Sequence, residues 1–307
     1  AGFDRLWTEL PDKFHMILSS DNPQYANLPG LGVLLGGMWV MNLSYWGFNQ
    51  YIIQRALAAR SVAEAQKGIA FAAFLKLLMP LIIVVPGIAA AMLSPGLDRP
   101  DQAYPEMMKL APVGLRGLIF AALVAAIVSS VGSMVNSIST IFTMDLYRPL
   151  RPNISEAGLV RTGRTVGASA LAVAVLAARP LLGGFEQAFQ YIQEFTGFFT
   201  PGICAIFILG VFWPATTASG ALVAAIGSFV LSILFRYLAP EIPFMDRVGY
   251  VFLLCTGLAM VISWLQGQRR QEGSVELAGV SFTTTAGFNL AAALITAGLI
   301  VLYGVFW

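Results

Sequence analysis

The chain has 307 residues, of which 57% are hydrophobic and only 11% are charged, and its formal net charge is +2. A mean hydropathy of +0.75 excludes an ordinary soluble domain and indicates a polytopic membrane protein. A net charge of +2 gives no indication of nucleic acid, and no nucleic-acid partner is expected. Only helices and closed barrels span lipid, and the apolar runs are continuous rather than alternating, so an all-α membrane protein is predicted.

The first stretch, A-G-F-D-R-L-W-T-E-L-P-D-K-F-H, has neither the basic start nor the apolar centre of a signal peptide. We expect an extracellular or periplasmic loop over residues 1–30, with a short amphipathic helix around Phe3 to Leu18. A membrane protein that starts in such a loop is expected to be part of a longer one. His15 is the single histidine, and Cys204 and Cys255 lie in apolar runs, so a protein-ligated zinc site and a disulfide are both disfavoured.

Eight apolar runs are long enough to cross about 30 Å of hydrocarbon. They cover roughly 31–53, 68–93, 117–146, 161–180, 188–212, 217–238, 248–265 and 286–305. With the loop after the first span placed inside, nine basic residues face the cytoplasm, Arg269 among them, and eight face the other side. The count is nearly even, but basic residues dominate the loops at 54–67 and 147–164, so we place the N-terminal loop and the C-terminus outside.

The first two spans carry polar groups that a lipid-facing helix would not tolerate. The first, V-L-L-G-G-M-W-V-M-N-L-S-Y-W-G-F-N-Q-Y, contains Asn42 and Tyr45. The second contains Lys76 and no nearby acid. A charge at that depth costs at least about 2.5 kcal/mol. Lys76 should therefore face protein or a water-filled cavity, and it marks a functional site.

The third span holds a ridge of small polar residues. Ser129, Ser133, Asn136 and Thr140 recur at intervals of three and four, which aligns them on one helical face, with Ser130 beside them. These hydroxyls either bond back to their own helix or pack at a helix interface, or they supply hard oxygen ligands to an alkali cation together with a freed carbonyl at Ala126.

In the fifth span, F-E-Q-A-F-Q-Y-I-Q-E-F-T-G-F-F-T-P-G, polar residues precede a break at Gly197 and Pro201. Phe189 and Gln193 are four residues apart and share a face. Glu194 is interpreted either as an intramembrane ion group or, preferably, as a solvated residue of an entry vestibule. The default interpretation of the aromatic residues is ordinary packing. If they lie beside Asn42, Lys76 and Gln193, they become candidates for stacking on a sugar ring; these aromatic residues are Tyr45, Trp46 and Phe189.

Three long motifs carry a resemblance. They are W-V-M-N-L-S-Y-W-G-F-N-Q-Y-I-I-Q-R-A-L-A-A-R-S-V-A-E-A-Q-K-G, I-V-S-S-x-x-S-M-x-N-S-x-S-T-I-F-T-M-D-L-Y and A-F-Q-Y-I-Q-E-F-T-G. In order and over essentially the whole chain, the sequence resembles the sodium/solute symporter family. Within it, the likeness is to the sodium/glucose and sodium/galactose cotransporter branch, and most of all to its bacterial galactose members.

The resemblance implies an inverted-repeat, LeuT-like transporter fold that rocks around a site near the membrane midplane. It implies that residues 31–212 are the second five-helix core repeat and that residues 213–307 are peripheral C-terminal transmembrane helices. It also implies that the chain begins before the sixth core helix, so that an N-terminal repeat of the same protein is the expected partner. The location implied is a bacterial inner membrane, with lipid around a multi-pass chain.

The roles follow motif by motif from the same resemblance. Asn42, Lys76 and Gln193 resemble hydrogen-bonding sugar ligands, Tyr45 a sugar-stacking inner gate, and Phe189 an outer-gate aromatic. Ala126, Ser129 and Ser130, in A-I-V-S-S, resemble half of a site for the co-transported sodium ion. No residue is expected to be catalytic.

The expected activity is sodium-coupled symport of galactose or glucose. A different solute is the alternative: myo-inositol, another sugar, sialic acid or an amino acid. A membrane sensor on the same scaffold is a further alternative, although no signalling domain accompanies these helices. An intramembrane enzyme is disfavoured, because Lys76 and Glu194 form the only charged combination at membrane depth and carry no hydrolase motif.

Overall fold

The structure is a computed structural model that describes residues 2–26, 30–182, 188–267, 270–271 and 274–307. Residue 1 and residues 27–29 of the expected N-terminal loop lie outside the described residues, as does Arg269 of the cytoplasmic basic set. Across the described ranges the regular structure is helical, without a strand. The predicted all-α fold class is therefore confirmed.

The described residues form fifteen α-helices: α1 Gly2–Glu9, α2 Leu31–Leu35, α3 Gly37–Leu43, α4 Gln50–Leu57, α5 Val62–Leu77, α6 Val85–Leu93, α7 Ala103–Lys109, α8 Val113–Ile141, α9 Arg148–Leu150, α10 Glu156–Leu182, α11 Ala188–Gly197, α12 Thr200–Phe212, α13 Ala218–Leu238, α14 Phe244–Leu265 and α15 Ala286–Val305. Three wider π-helical segments, Ser44–Phe48, Pro80–Val84 and Phe142–Tyr147, continue α3, α5 and α8. Short 3₁₀ turns occupy Pro11–Phe14, Pro100–Gln102 and Leu277–Gly279.

Among the described helices, six are long and apolar enough to cross a membrane: Val62–Leu93, Val113–Leu150, Glu156–Leu181, Ala218–Leu238, Phe244–Leu265 and Ala286–Val305. The pair α11 and α12 passes the same test as one span bent by 46°. This bend falls between Gly197 and Pro201, where the sequence predicted it. The remaining predicted span, over 31–53, is divided into α2, α3, a π segment and α4, so it is not one continuous membrane-length helix.

Several helices begin at a side-chain cap. The hydroxyls of Ser61, Thr217 and Thr285 accept the backbone N–H three residues later, at 3.3, 3.1 and 3.2 Å. Each cap satisfies one of the N–H groups that a helix start leaves unpaired. The amphipathic helix predicted around Phe3 to Leu18 is shorter in the structure, because Pro11 starts a separate turn after α1.

The residues form two compact units, and each is described by itself. The first unit comprises Ala1–Asn49, Ala56–Met79 and Phe189–Trp307. One core cluster of this unit lies among α12, α13 and α14 and includes small side chains that are fully buried, namely Ala205, Ala224, Cys255 and Ala259. Small residues let helix backbones approach closely inside a membrane. Gly202 illustrates the fit, since a Cβ there would lie 2.4 Å from the Ala224 carbonyl oxygen.

The second unit comprises Gln50–Arg55 and Pro80–Ala188. In it α8 packs along α10. Gly163 and Gly167 of α10 face α8, and Ser139 of α8 donates to the Gly163 carbonyl at 2.8 Å. Much of the apolar surface of both helices points outward, as expected of helices surrounded by lipid; Val128 and Leu176, for example, are 65% and 76% exposed.

Candidate functional site

Asn42 and Tyr45 lie where the first polar stretch departs from regular α geometry. α2 ends at Gly36, whose ψ of −120° is not helical, and α3 then runs into the π segment that contains Tyr45. The break sits against α14, because a Cβ on Gly37 would lie 2.1 Å from the Met245 carbonyl oxygen. Wide π turns and broken helices in membrane proteins are frequent at functional sites, where they free backbone groups to contact a ligand.

The side chain of Asn42 is exposed and keeps part of its bonding capacity. Its Nδ2 donates to the Met38 carbonyl one turn earlier, at 2.9 Å. Its Oδ1 accepts no hydrogen bond within the described part of the chain. That oxygen can therefore accept a bond from a ligand hydroxyl.

Lys76 of α5 meets the same π segment. Its Nζ lies 5.4 Å from the centre of the Trp46 ring, a cation–π contact. The Trp46 ring in turn meets Tyr45 edge-on, with ring centres 5.4 Å apart. The structure thus brings Lys76, Trp46 and Tyr45 together. The sequence grouped Trp46 with Lys76 only as a sugar-stacking candidate. It did not indicate a direct contact, because thirty residues separate the two and the packing of α5 brings them together.

Gln193 and Phe189 lie on α11, on the helix that bends. Phe189 is 71% exposed and Gln193 is half-buried. Within the residues that the structure describes, no hydrogen bond joins Gln193 to Asn42 or Lys76. Both α11 residues therefore remain site predictions.

Glu194, beside Gln193, is ion-paired. Its Oε1 accepts from Arg236 of α13 and, at 3.2 Å, from Arg247 of α14. The Arg247 side chain is only 14% exposed. From the sequence, Glu194 was interpreted as a solvated vestibule residue or as an intramembrane ion group. Neither interpretation included these arginines, which follow more than forty residues later in the chain.

The expected sodium ligands Ala126, Ser129 and Ser130 lie on α8, in the second unit. All three are exposed, and the hydroxyls of Ser129 and Ser130 make no hydrogen bond to any described residue. They are the hard oxygen donors that an alkali cation requires. The expectation of a freed carbonyl at Ala126 is not met, because α8 runs unbroken from Val113 to Ile141. The Ala126 carbonyl oxygen would therefore have to bind a sodium ion through its second lone pair.

Two further residues of the serine ridge, Ser133 and Asn136, are engaged within the protein. Ser133 Oγ donates to the Ser129 carbonyl at 3.0 Å and accepts from Arg55 Nη2 at 2.6 Å. Asn136 Nδ2 donates to Gln54 Oε1 at 3.3 Å. Back-bonding and helix contacts therefore account for Ser133 and Asn136, and the hydroxyls of Ser129 and Ser130 remain available to bind a cation.

Membrane-length helices, broken or widened where they carry polar side chains, are the architecture of a secondary transporter. The sodium:solute symporter family model matches residues 5–227. The chain belongs to the sodium:solute symporter family, and the relatives described next are named cotransporters.

Two kinds of relative have different named substrates. The sodium/glucose cotransporter of Vibrio parahaemolyticus is 46% identical over 327 aligned positions, which cover 100% of this chain and 60% of that protein. The human sodium/myo-inositol cotransporter 2 is 37% identical over 75% of this chain and 37% of its own length. The bovine sodium/myo-inositol cotransporter is 34% identical over 80% of this chain and 38% of its own length. The chain thus spans 60% of the length of the first of these relatives and 37–38% of the other two.

Proposed function

We propose that the protein containing this chain is a sodium-coupled symporter that carries galactose or glucose across a bacterial inner membrane by alternating access. The observation that carries the proposal is the 46% identity, over the entire chain, to a relative named for sodium and glucose. The site chemistry supports it. A neutral polyol needs hydrogen-bond donors and acceptors beside a flat aromatic surface, and the neighbourhood of Lys76, Trp46 and Tyr45 offers both kinds of group.

In this proposal Asn42, Lys76 and Gln193 bond the sugar hydroxyls, Tyr45 stacks on the ring as the inner gate, and Phe189 closes the outer side. Residues 31–212 form one core repeat, residues 213–307 form peripheral helices, and an N-terminal repeat of the same protein supplies the remaining ligands. The Lys76–Trp46 contact supports part of this assignment, since an ammonium resting on an aromatic ring stays a hydrogen-bond donor.

Sodium is proposed to bind through the Ser129 and Ser130 hydroxyls and the Ala126 carbonyl. Three oxygens are too few for a sodium ion, so the other ligands must come from elsewhere in the protein. Coupling then requires that sodium favour the sugar-binding conformation. The linkage is reciprocal, because each ligand must raise the affinity for the other by the same factor.

The test of substrate is sodium-driven uptake of labelled galactose by the full-length protein in proteoliposomes. Glucose, myo-inositol, proline and sialic acid serve as competitors. We expect competition by the hexoses. Competition by proline or sialic acid but by neither hexose would contradict a site for a neutral hexose and make Lys76 a partner for a carboxylate. Myo-inositol is the second candidate, because relatives with that name share 34–37% of the aligned residues, and dominant competition by it would favour that assignment.

Two substitutions test the sugar roles in the same assay. Gln193→Ala should reduce galactose uptake strongly, because an unpaired buried hydroxyl costs about 1 to 3 kcal/mol. Tyr45→Phe keeps the ring and should be milder than Tyr45→Ala. If the two Tyr45 variants were equally impaired, ring stacking would not be its role.

One substitution tests the sodium role. Ser130→Ala removes an oxygen that a dehydrated cation needs. Loss of one polar contact to a charged group costs about 1.5 to 3 kcal/mol. The sodium concentration for half-maximal uptake should therefore rise tenfold or more. Ser169→Ala is the matched control, because Ser169 is also an exposed serine of a membrane helix. An unchanged sodium dependence in Ser130→Ala would contradict the assignment.

A further inference from the structure

An open cavity, lined by none of the residues proposed to bind sugar or sodium, lies at the surface of the second unit. It has a volume of about 450 Å³ and sits between the π-helical end of α8 and the first turns of α10. That volume is within the range of about 300 to 1,000 Å³ found for small-molecule sites. Its apolar wall includes Phe142, Ile154 and Val166, and its polar wall includes Tyr147, Arg161 and Thr162.

Three polar side chains of this cavity are free to bind a ligand, whereas the fourth, Thr165, donates to the Arg161 carbonyl at 3.0 Å. Within the described residues, the Arg161 guanidinium and the hydroxyls of Tyr147 and Thr162 make no hydrogen bond or ion pair. A guanidinium offers five N–H donors in a planar fork that fits a phosphate bidentately. Two hydroxyls beside it can donate to the same group. The cavity therefore presents several donors, one of them cationic, and lacks an acidic side chain in its wall.

The surroundings of the cavity carry excess positive charge. The stretch 145–164 contains four arginines, Arg148, Arg151, Arg161 and Arg164, and two acids, Asp145 and Glu156. None of the four guanidiniums forms an ion pair with another described residue. The sequence placed this basic loop at the cytoplasmic face, where anionic lipids concentrate and where a basic pocket between helices typically binds a lipid headgroup.

The wall chemistry distinguishes a lipid from a small soluble anion. Phosphate alone would satisfy Arg161, Tyr147 and Thr162 and leave Phe142, Ile154 and Val166 facing water. A phospholipid places its phosphodiester on the donors and its glycerol and first acyl carbons on the apolar wall. We propose that this cavity is a binding site for the headgroup of an anionic phospholipid, with Arg161 as the phosphate ligand. The proposal is independent of which solute the protein transports.

The experiment is native mass spectrometry of the full-length protein with phosphatidylglycerol, or with phosphatidylcholine as a lipid that has the same phosphodiester but no net charge. The wild-type protein should retain phosphatidylglycerol preferentially. Arg161→Gln should lower that preference about fivefold, the effect of one basic residue near an anionic headgroup. Arg179→Gln is the matched control, because it removes the same charge from the last turn of the same helix.

Two results would overturn the proposal. Equal losses in Arg161→Gln and Arg179→Gln would mean that overall charge, and not this cavity, attracts the lipid. Displacement of phosphatidylglycerol by low millimolar inorganic phosphate would mean a site for a soluble anion. If Arg161→Gln does not fold, Thr162→Val is the substitute, because it keeps the charge and shape of the site and removes one donor. It should lower the preference for phosphatidylglycerol at least twofold. An unchanged preference in that variant would overturn the proposal as well.

Discussion

Replacing Glu194 by glutamine removes the carboxylate that holds α11 to two other helices. Arg236 and Arg247 both donate to the same oxygen, Oε1. The Arg236 side chain is 49% exposed, whereas that of Arg247 is 14% exposed, and Glu194 itself is 26% exposed. An exposed pair contributes about 0.2 to 1 kcal/mol, and breaking a buried pair costs about 3 to 5 kcal/mol.

Because this cluster is partly buried, we expect Glu194→Gln to lower the free energy of unfolding by about 2 kcal/mol, between those two limits. Most of the cost arises at Arg247, which is left with an uncompensated charge in a largely buried position. Arg247→Gln should therefore cost more than Arg236→Gln, which leaves the Arg247–Glu194 pair in place. The measurement is unfolding of each purified variant by SDS titration in mixed micelles.

Glu241→Gln serves as the control, because Glu241 is an exposed acid that forms no ion pair with any described residue. It should change the free energy of unfolding by less than about 0.5 kcal/mol. If Glu194→Gln and Glu241→Gln were indistinguishable, or if Arg236→Gln cost more than Arg247→Gln, burial would not set the strength of this cluster.

Three further results are expected. Gly202→Ala should destabilise the protein by about 1 to 3 kcal/mol, because the new Cβ would lie 2.4 Å from a carbonyl oxygen of α13. The control is Gly210→Ala in the same helix, whose new Cβ would meet no atom within 4 Å, and which should be neutral or stabilising in the same SDS titration. Ser263→Ala should cost about 1 to 3 kcal/mol in that titration, since this buried hydroxyl satisfies the backbone N–H at the start of α13; a neutral variant would contradict that role. Arg55→Gln should lower the sodium concentration for half-maximal uptake about two- to threefold, because it removes a cation bonded to Ser133, about one turn from the proposed sodium ligands; an increase would contradict the proposed position of the ion.

Features that depend on local sequence could be predicted. Runs of about twenty apolar residues identify membrane helices, because few other structures tolerate them. The bend between α11 and α12 was predictable as well, since Gly197 and Pro201 weaken a helix locally. The serine ridge of α8 was assigned to one face by periodicity, and the contacts of Ser133 and Asn136 with α4 confirm a shared face.

Features that depend on packing could not be predicted. The division of residues 31–53 into short helices accompanies a close approach of α14 to Gly37, and the sequence of that stretch contains no sign of this neighbour. The partners of Lys76 and Glu194 are likewise far away in the chain. The π segments were not predicted from the sequence for a different reason. A 3.6-residue period describes α geometry, and a single widened turn hardly alters the hydrophobic pattern.

The π-helical end of α8 has a consequence for how this sequence can vary. A π turn contains one residue more than an α turn, so deleting one residue within Phe142–Tyr147 would restore regular α geometry. The wider turn takes up its extra residue locally, so the residues after the deletion would keep their rotation relative to the serine ridge. This segment can therefore gain or lose one residue without turning the rest of the helix, and a change of length should be tolerated here more readily than inside the regular α8 helix, Val113–Ile141.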